Sequence, residues 1–337
     1  MRIWYTSCAR YAREPNRDNV KAKGPILLLI TALLWGMAFV AQTTAADSVE
    51  PFTFNASRNF IGFLFLTAVI GVRKRTGQDT PPTLSADGAL GPDASQGYSK
   101  RTLVIGGVLC GIALCVASYL QQAGISSYPG DAAASGRSGF VTATYMIMVA
   151  LATVVMGRKL HPIVVVAVAV CLAGMYLLCV PNGFEQIYWG DVLVLASALG
   201  YAIHILIIDR FTQVDGVRLS RIQLITACCI SLICALAFEH PSIENIFAAA
   251  VPILYAGICS DGLAYTFQII AQKTTDPTVA SILMSLESVF AALGGWLILS
   301  EQLGATELAG CALVFVAVML SQVPDFLENA RAKRAAK

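Results

Sequence analysis

Ten stretches of mostly apolar residues succeed one another along the chain, near residues 24–46, 52–72, 103–125, 137–156, 162–180, 189–208, 220–238, 250–271, 278–299 and 305–323. A helix that crosses a bilayer needs about 20 such residues, because ~30 Å of hydrocarbon is covered at ~1.5 Å per residue. Breaks such as "HP" at 161–162, "VPNG" at 180–183 and "DP" at 276–277 separate neighbouring stretches, as in closely packed hairpins of spanning helices. The runs are continuous rather than polar at every second position, which excludes a β-barrel. Only 13% of the residues are charged and 56% are hydrophobic, about half the charge of an ordinary soluble domain. The chain is therefore expected to be an all-α polytopic membrane protein with ten transmembrane helices in a lipid bilayer.

Lysine and arginine set its orientation. With a cytoplasmic amino terminus, the inner side collects six basic residues before Gly24 and five from Arg73 to Arg101. It also takes Arg158, Lys159, Arg210, Arg218, Arg221, Lys273 and the four of the carboxy-terminal tail. Only Arg58 and Arg137 fall elsewhere, both at outer ends of spans. The positive-inside rule then predicts both termini in the cytoplasm, in an inner or plasma membrane. The basic arm, 1–23, has no small-residue cleavage site after a short apolar core, so the first span reads as a retained helix. Residues 76–99, rich in Pro, Gly, Ser and Asp, read as a disordered inner loop within 73–101; 324–337 reads as a basic cytoplasmic tail. A net charge of +2, sorted by side, does not suggest nucleic acid.

The ten cysteines show no CxxC pair and, apart from Cys8 in the arm, lie inside spans, where they behave as small packing residues. With no heme, zinc or iron–sulfur pattern, no cofactor and no metal is expected. HExxH and Walker signatures are missing as well, so energy is expected from gradients rather than nucleotide.

The sequence repeats itself. "GFVTATYMIMVALATVVMGRKLHPIVVVAVAVCLAGMYLL" from Gly139 superimposes without a gap on "ILMSLESVFAALGGWLILSEQLGATELAGCALVFVAVML" from Ile282, an offset of 143. Thr144 then falls on Glu287, and Gly157-Arg158-Lys159-Leu160 on Ser300-Glu301-Gln302-Leu303. "TALLWGMAFV" at 31 echoes "ASALGYAIHI" at 196, and "ASYLQQ" at 117 echoes "LAYTFQ" at 263. Each half, 24–181 and 189–323, thus holds five spans. An odd number reverses the second copy, giving an inverted repeat about an axis in the membrane plane, with a cavity between the halves that can open to either face.

"LLWGMAFV", "ASYLQQAGI", "SGFVTATYM", "AYTFQIIAQK" and "SLESVFAALGGWLILSEQL" resemble the EamA family of the drug/metabolite transporter superfamily in its ten-span form. The resemblance covers about Gly24 to Val323. It implies a permease, many such proteins being exporters of amino acids or related metabolites. The family's Glu-x-Leu turn stands at Glu301-Gln302-Leu303, while the first copy departs with Arg158-Lys159-Leu160. A further departure is Asp261, where similar proteins place a small neutral residue.

Two acids interrupt the apolar runs. Counted from the inner ends of their spans, Asp261 and Glu287 both lie roughly 14–15 Å deep at ~1.5 Å per residue. A carboxylate facing lipid at that depth costs about 2.5–3.5 kcal/mol, so both are expected to turn inward. The alternative for each is a structural carboxyl, kept neutral by burial or bonded to a neighbouring helix. If both face one cavity they share protons, and a proton can then be the coupling ion.

Tyr145, beside the position equated with Glu287, is a candidate to line a substrate cavity, with Trp35, Phe39 and Tyr265; packing or an interfacial belt is the competing reading. Gln121, Gln122 and Gln268 can bind a zwitterion or cross-link helices. Arg58 is expected to snorkel outward, with a partnership to a substrate carboxylate as the alternative. An intramembrane protease must also be weighed, since "GRSG" at 136–139 offers Ser138 and His204 is a conceivable base. Their depths differ by too much for the ~3 Å approach that nucleophile and base require. A lipid-handling or sensor protein would leave a similar sequence; a lateral polar groove would mark it, against a closed central cavity for a small solute. The leading expectation is a secondary-active carrier of a small metabolite, not an enzyme, working by alternating access.

Overall fold

A computed structural model describes residues 17–77, 98–129, 134–158, 160–179, 188–300, 304–321 and 323–324. Most of the basic arm, the centre of the loop at 73–101, Lys159, Glu301-Gln302-Leu303 and most of the tail lie outside the described residues.

Every regular element among the described residues is helical. The first half holds α1 (Arg17–Ala46), α2 (Pro51–Arg75), α3 (Lys100–Ser126), α4 (Ala134–Ala143), α5 (Tyr145–Val155) and α6 (Pro162–Cys179). The second holds α7 (Trp189–Arg210), α8 (Gly216–Phe238), the short α9 (Ile243–Ala248), α10 (Ala250–Tyr255), a π-helical segment (Ala256–Ala264), α11 (Tyr265–Ala271), α12 (Pro277–Met284), α13 (Glu287–Ile298) and α14 (Ala305–Ser321). Counting α4–α5, α10 through α11, and α12–α13 as single rods, eight helices are long and apolar enough to cross a membrane. The fifth and tenth expected spans are shorter apolar helices, α6 and α14, packed along each other.

Helix ends follow local chemistry. Asp215 accepts from Arg218 N at 2.8 Å to cap α8, and Asp276 accepts from Thr278 N at 2.8 Å ahead of Pro277 to cap α12, satisfying donors that the first turn leaves free. α2 is capped from another helix: Glu239, just past α8, accepts from Phe52 N and Thr53 N, both at 2.7 Å. Glu50 returns the contact by accepting from His240 N at 2.9 Å. Arg73, Lys74 and Arg75 complement the other end of α2.

Partners recur in symmetric pairs. α2 lies on α8 and α6 on α14; α3 packs on α7 as α1 packs on the rod from α10 to α11. The repeat extends to irregularities. Each member of the equated pair, expected as one unbroken helix, is broken in the middle, at Thr144 in one copy and at Ser285–Leu286 in the other. At both breaks the backbone switches to tighter bonds three residues back, Thr144 N to Val141 O and Leu286 N to Leu283 O. Hydroxyls reinforce them, Thr144 donating to Val141 O at 2.6 Å and Ser285 to Ile282 O at 2.6 Å, a competition with α-helical bonding that sequence periodicity does not reveal.

The faces sort as a membrane requires. Along α3, Ile105, Leu109, Ile112 and Val116 are exposed while Gly106, Cys110, Leu114, Ala117 and Gln121 are buried. In water such an apolar stripe would be an aggregation surface; in hydrocarbon it carries no penalty, and the polar side chains collect inside. A central cluster joins Ala143, Met146 and Val149 of the first half to Ala198, Ala202, Leu283 and Met284 of the second.

Candidate functional site

A narrow cavity opens between the halves. The first contributes Trp35, Phe39 and Gln42 from α1, Arg58 from α2, Gln121 from α3, and Thr142 and Tyr145 from either side of the α4–α5 break; the second contributes Tyr201, His204, Ser260, Tyr265, Gln268 and Glu287. Glu287 is the first residue of α13, so the break in the ninth span is what presents its carboxyl to the cavity.

Of the residues singled out from sequence as cavity or solute candidates, Glu287, Tyr145, Trp35, Phe39, Tyr265, Gln121 and Gln268 line this cavity. Glu287 is 3% exposed. Its carboxyl neighbours the Tyr145 hydroxyl, yet Glu287 Oε1 and Tyr145 Oη complete no well-formed hydrogen bond among the described residues. Gln268 Oε1 and Gln42 Oε1 are likewise buried and unpaired. Buried polar atoms are ordinarily satisfied, because each one left open costs on the order of 1–3 kcal/mol. A group of them around one hollow is what a polar ligand would meet.

The aromatic wall is fixed by contacts of its own. Trp35 stands against Tyr265 with ring centroids 4.9 Å apart and donates Nε1 to Ser260 O at 3.4 Å. Gln121 is held from both sides, donating to Thr142 Oγ1 at 3.0 Å and accepting from Tyr201 Oη at 3.0 Å.

Gln122 turns away: its Nε2 donates to Gln42 O at 3.1 Å, tying α3 to α1, and it does not line the cavity. The repeat equates Gln122 with Gln268 by spacing, but the eighth span carries nine π-helical residues, Ala256–Ala264, and the third carries none. A π stretch holds more residues per turn and rotates everything after it, so Gln268 shares the cavity with Gln121.

Asp261 is fully buried beside the cavity rather than in its lining, and its partner overturns the expectation for Arg58. That side chain does not snorkel. Arg58 is 2% exposed, lines the cavity, and brings Nε to 3.7 Å from Asp261 Oδ2. Glycines make the approach: a Cβ on Gly257 would sit 2.8 Å from Arg58 O, and one on Gly62 would sit 3.0 Å from Asp261 Cβ. With the two backbones this close, the guanidinium finds its counter-ion laterally and has no need to reach water. Phe54 adds a cation–π contact at 5.5 Å.

His204, weighed from sequence only as a conceivable base, and Tyr201, not singled out there, also line the cavity. His204 bonds Gln223 Oε1 through Nε2 at 3.1 Å and sets its ring edge-on to Tyr265 at 5.6 Å. The available signal was the repeat itself, which places His204 on Phe39, a residue already singled out for the cavity. Ser138 spends its hydroxyl on Ala134 O and Ser135 O of its own helix.

The sequence profile described as the EamA-like transporter family matches residues 22–180 and again 188–322. An uncharacterized transporter of Archaeoglobus fulgidus is 25% identical over 294 residues, covering 87% of this chain and 83% of that protein. The uncharacterized transporter YoaV of Bacillus subtilis is 21% identical over 300 residues, covering 87% and 94%. A solved structure described as "Crystal structure of protein" superimposes with a TM-score of 0.69 at 18% identity, over 90% of this chain and 97% of that one, a likeness of fold.

Proposed function

The chain belongs to the EamA-like transporter family, as a multi-pass membrane transporter, and on that premise we propose that it is a secondary-active carrier of a small metabolite such as an amino acid. Two five-helix units, 24–181 and 189–323, alternate the access of a central solute site between the faces of the cell membrane, with both termini in the cytoplasm. α6 and α14 complete ten spans. Glu287 carries the coupling proton, with Tyr145 as its nearest polar neighbour, and no nucleotide takes part.

The observation that supports this most is the composition of the cavity wall, drawn almost equally from the two units. A site built across the interface of two repeats changes its exposure when they rock against each other, without being taken apart. Its aromatic walls with a few oriented polar groups suit a solute with an apolar body and polar ends.

The test is counterflow in proteoliposomes with a metabolite panel. A carrier gives trans-accelerated exchange of at least one solute, and Glu287→Gln keeps exchange while losing the dependence of net flux on pH. Absence of trans-acceleration across the panel would remove the carrier reading; a Glu287→Gln protein with unaltered pH dependence would remove the coupling role.

A further inference from the structure

We propose that Arg58 is the receptor for a free carboxylate on the transported solute, and that Asp261 is the residue that positions it. The inference rests on the reading of the cavity as a solute site and narrows the solutes it takes to those carrying a carboxylate.

The Arg58–Asp261 pair is buried on both sides and incompletely engaged. Arginine and carboxylate at their best form two parallel hydrogen bonds at about 2.7–2.9 Å, whereas here the recorded approach is 3.7 Å. Arg58 Nε and both oxygens of Asp261 make no hydrogen bond among the described residues. Desolvating two charges is repaid only by good geometry and full hydrogen bonding, so a pair kept purely for stability would be closer. What the separation preserves is an arginine whose charge is balanced by Asp261 and whose hydrogen-bonding capacity Asp261 does not consume.

Placement gives this capacity a direction. Asp261 approaches from the Nε side, and of the two residues it is Arg58 that lines the cavity. The terminal nitrogens are the edge that Asp261 does not take, and Tyr201 stands beside the guanidinium as a further polar neighbour. A planar fork of donors in an aromatic-walled hollow is the group that recognises a carboxylate bidentately. Glu287, also in the lining, faces the same hollow with an unpaired oxygen and offers an acceptor for a solute ammonium. Asp261 touches the guanidinium but does not line the cavity, and so acts on the solute through Arg58.

The experiment compares binding of amino acids with that of their carboxamides, which are matched in shape but replace the charged carboxylate, and one of its acceptor oxygens, with a neutral amide. The probes are alanine, leucine and phenylalanine with their α-amides, measured on the purified full-length protein in nanodiscs by calorimetry and thermal shift. At least one acid should bind tenfold or more tighter than its amide. Arg58→Gln alone would strand a buried carboxylate, so the decisive variant is the charge-neutral pair Arg58→Gln with Asp261→Asn. It should fold and bind acid and amide within twofold of each other. Arg58→Lys, which keeps the charge but loses the fork, should retain part of the preference, and Asp261→Glu should restore more of it than Asp261→Asn. Equal binding of acid and amide by the unmodified protein, or a preference surviving in the double variant, overturns the assignment while leaving the cavity a solute site. Failure of every acid and every amide to bind removes the cavity reading itself.

Discussion

Arg137 holds Asp191 through two contacts of 2.6 Å, Nε to Oδ1 and Nη2 to Oδ2, joining the first turn of α4 to the first turn of α7. Asp191 also accepts from Tyr128 Oη and Tyr188 N, each at 2.8 Å, and the guanidinium lies 4.8 Å from the Tyr188 ring centroid. Burial, with the Asp191 carboxylate adding to it, pushes the Tyr128 hydroxyl well above the ordinary phenol range, so it stays a donor. This cluster latches one end of the bundle between two helices whose middles line the cavity. A double-mutant cycle of Arg137→Gln and Asp191→Asn should give a coupling of about 1.5–3 kcal/mol in thermal unfolding. Hydrogen exchange over 134–142 should quicken in both single variants; additive single effects would show that the latch is decorative.

Gly257 sets the distance between α2 and the π-helical segment, since an added Cβ would meet Arg58 O and Ile61 Cβ at 2.8 Å. Gly257→Ala should therefore destabilise by about 1–3 kcal/mol through overpacking and weaken solute binding by displacing Arg58 from Asp261. Gly71→Ala, in α2 itself and with nothing within 4 Å of the new carbon, should stabilise by roughly 0.5–1 kcal/mol. Melting curves of the two variants should move in opposite directions.

Gly157 and Ser300, equated by the repeat, both follow the cap residue of a helix with positive φ, 79° and 58°. In the first copy the turn closes with Gly157 N on Val154 O and Arg158 N on Thr153 O, the paired bonds of a glycine-terminated helix. Serine pays a steric cost in that conformation that glycine does not. Ser300→Gly should raise stability by about 1 kcal/mol, and Gly157→Ser should lower it by a similar amount. A Ser300→Gly melting temperature at or below that of the unmodified protein would contradict this account.

Lys273, just beyond α11, donates Nζ to Val214 O at 2.6 Å. Burial lowers its pKa, with the Asp215 carboxylate acting in the opposite sense. The folded chain then holds this proton less tightly than the unfolded one, so the unfolded state binds more protons just below the ordinary lysine value and stability rises with pH there. The melting temperature, taken relative to Lys273→Gln, should climb as the pH rises toward the ordinary lysine value of about 10.5. Parallel curves for the two proteins would remove the effect.

Eight of the ten expected spans, the repeat and the inward turn of Glu287 could be read from the chain alone, because hydrocarbon penalises each exposed charge and rewards each run of about 20 apolar residues without reference to any partner. The equation of Gly157 with Ser300 was likewise legible, since a backbone turn leaves its mark at fixed spacing. Three features were decided only by the packed structure: the capture of Arg58 by Asp261, the choice of Gln121 over Gln122, and the breaks at Thr144 and Ser285. One residue turns an α-helix by about 100°, so a nine-residue π stretch or a hydroxyl bonded to its own backbone redirects whole faces at little compositional cost. A charge 2% exposed instead of snorkelling depends on a glycine of another helix letting two backbones touch. Such a contact is a property of two segments together, and neither carries it by itself.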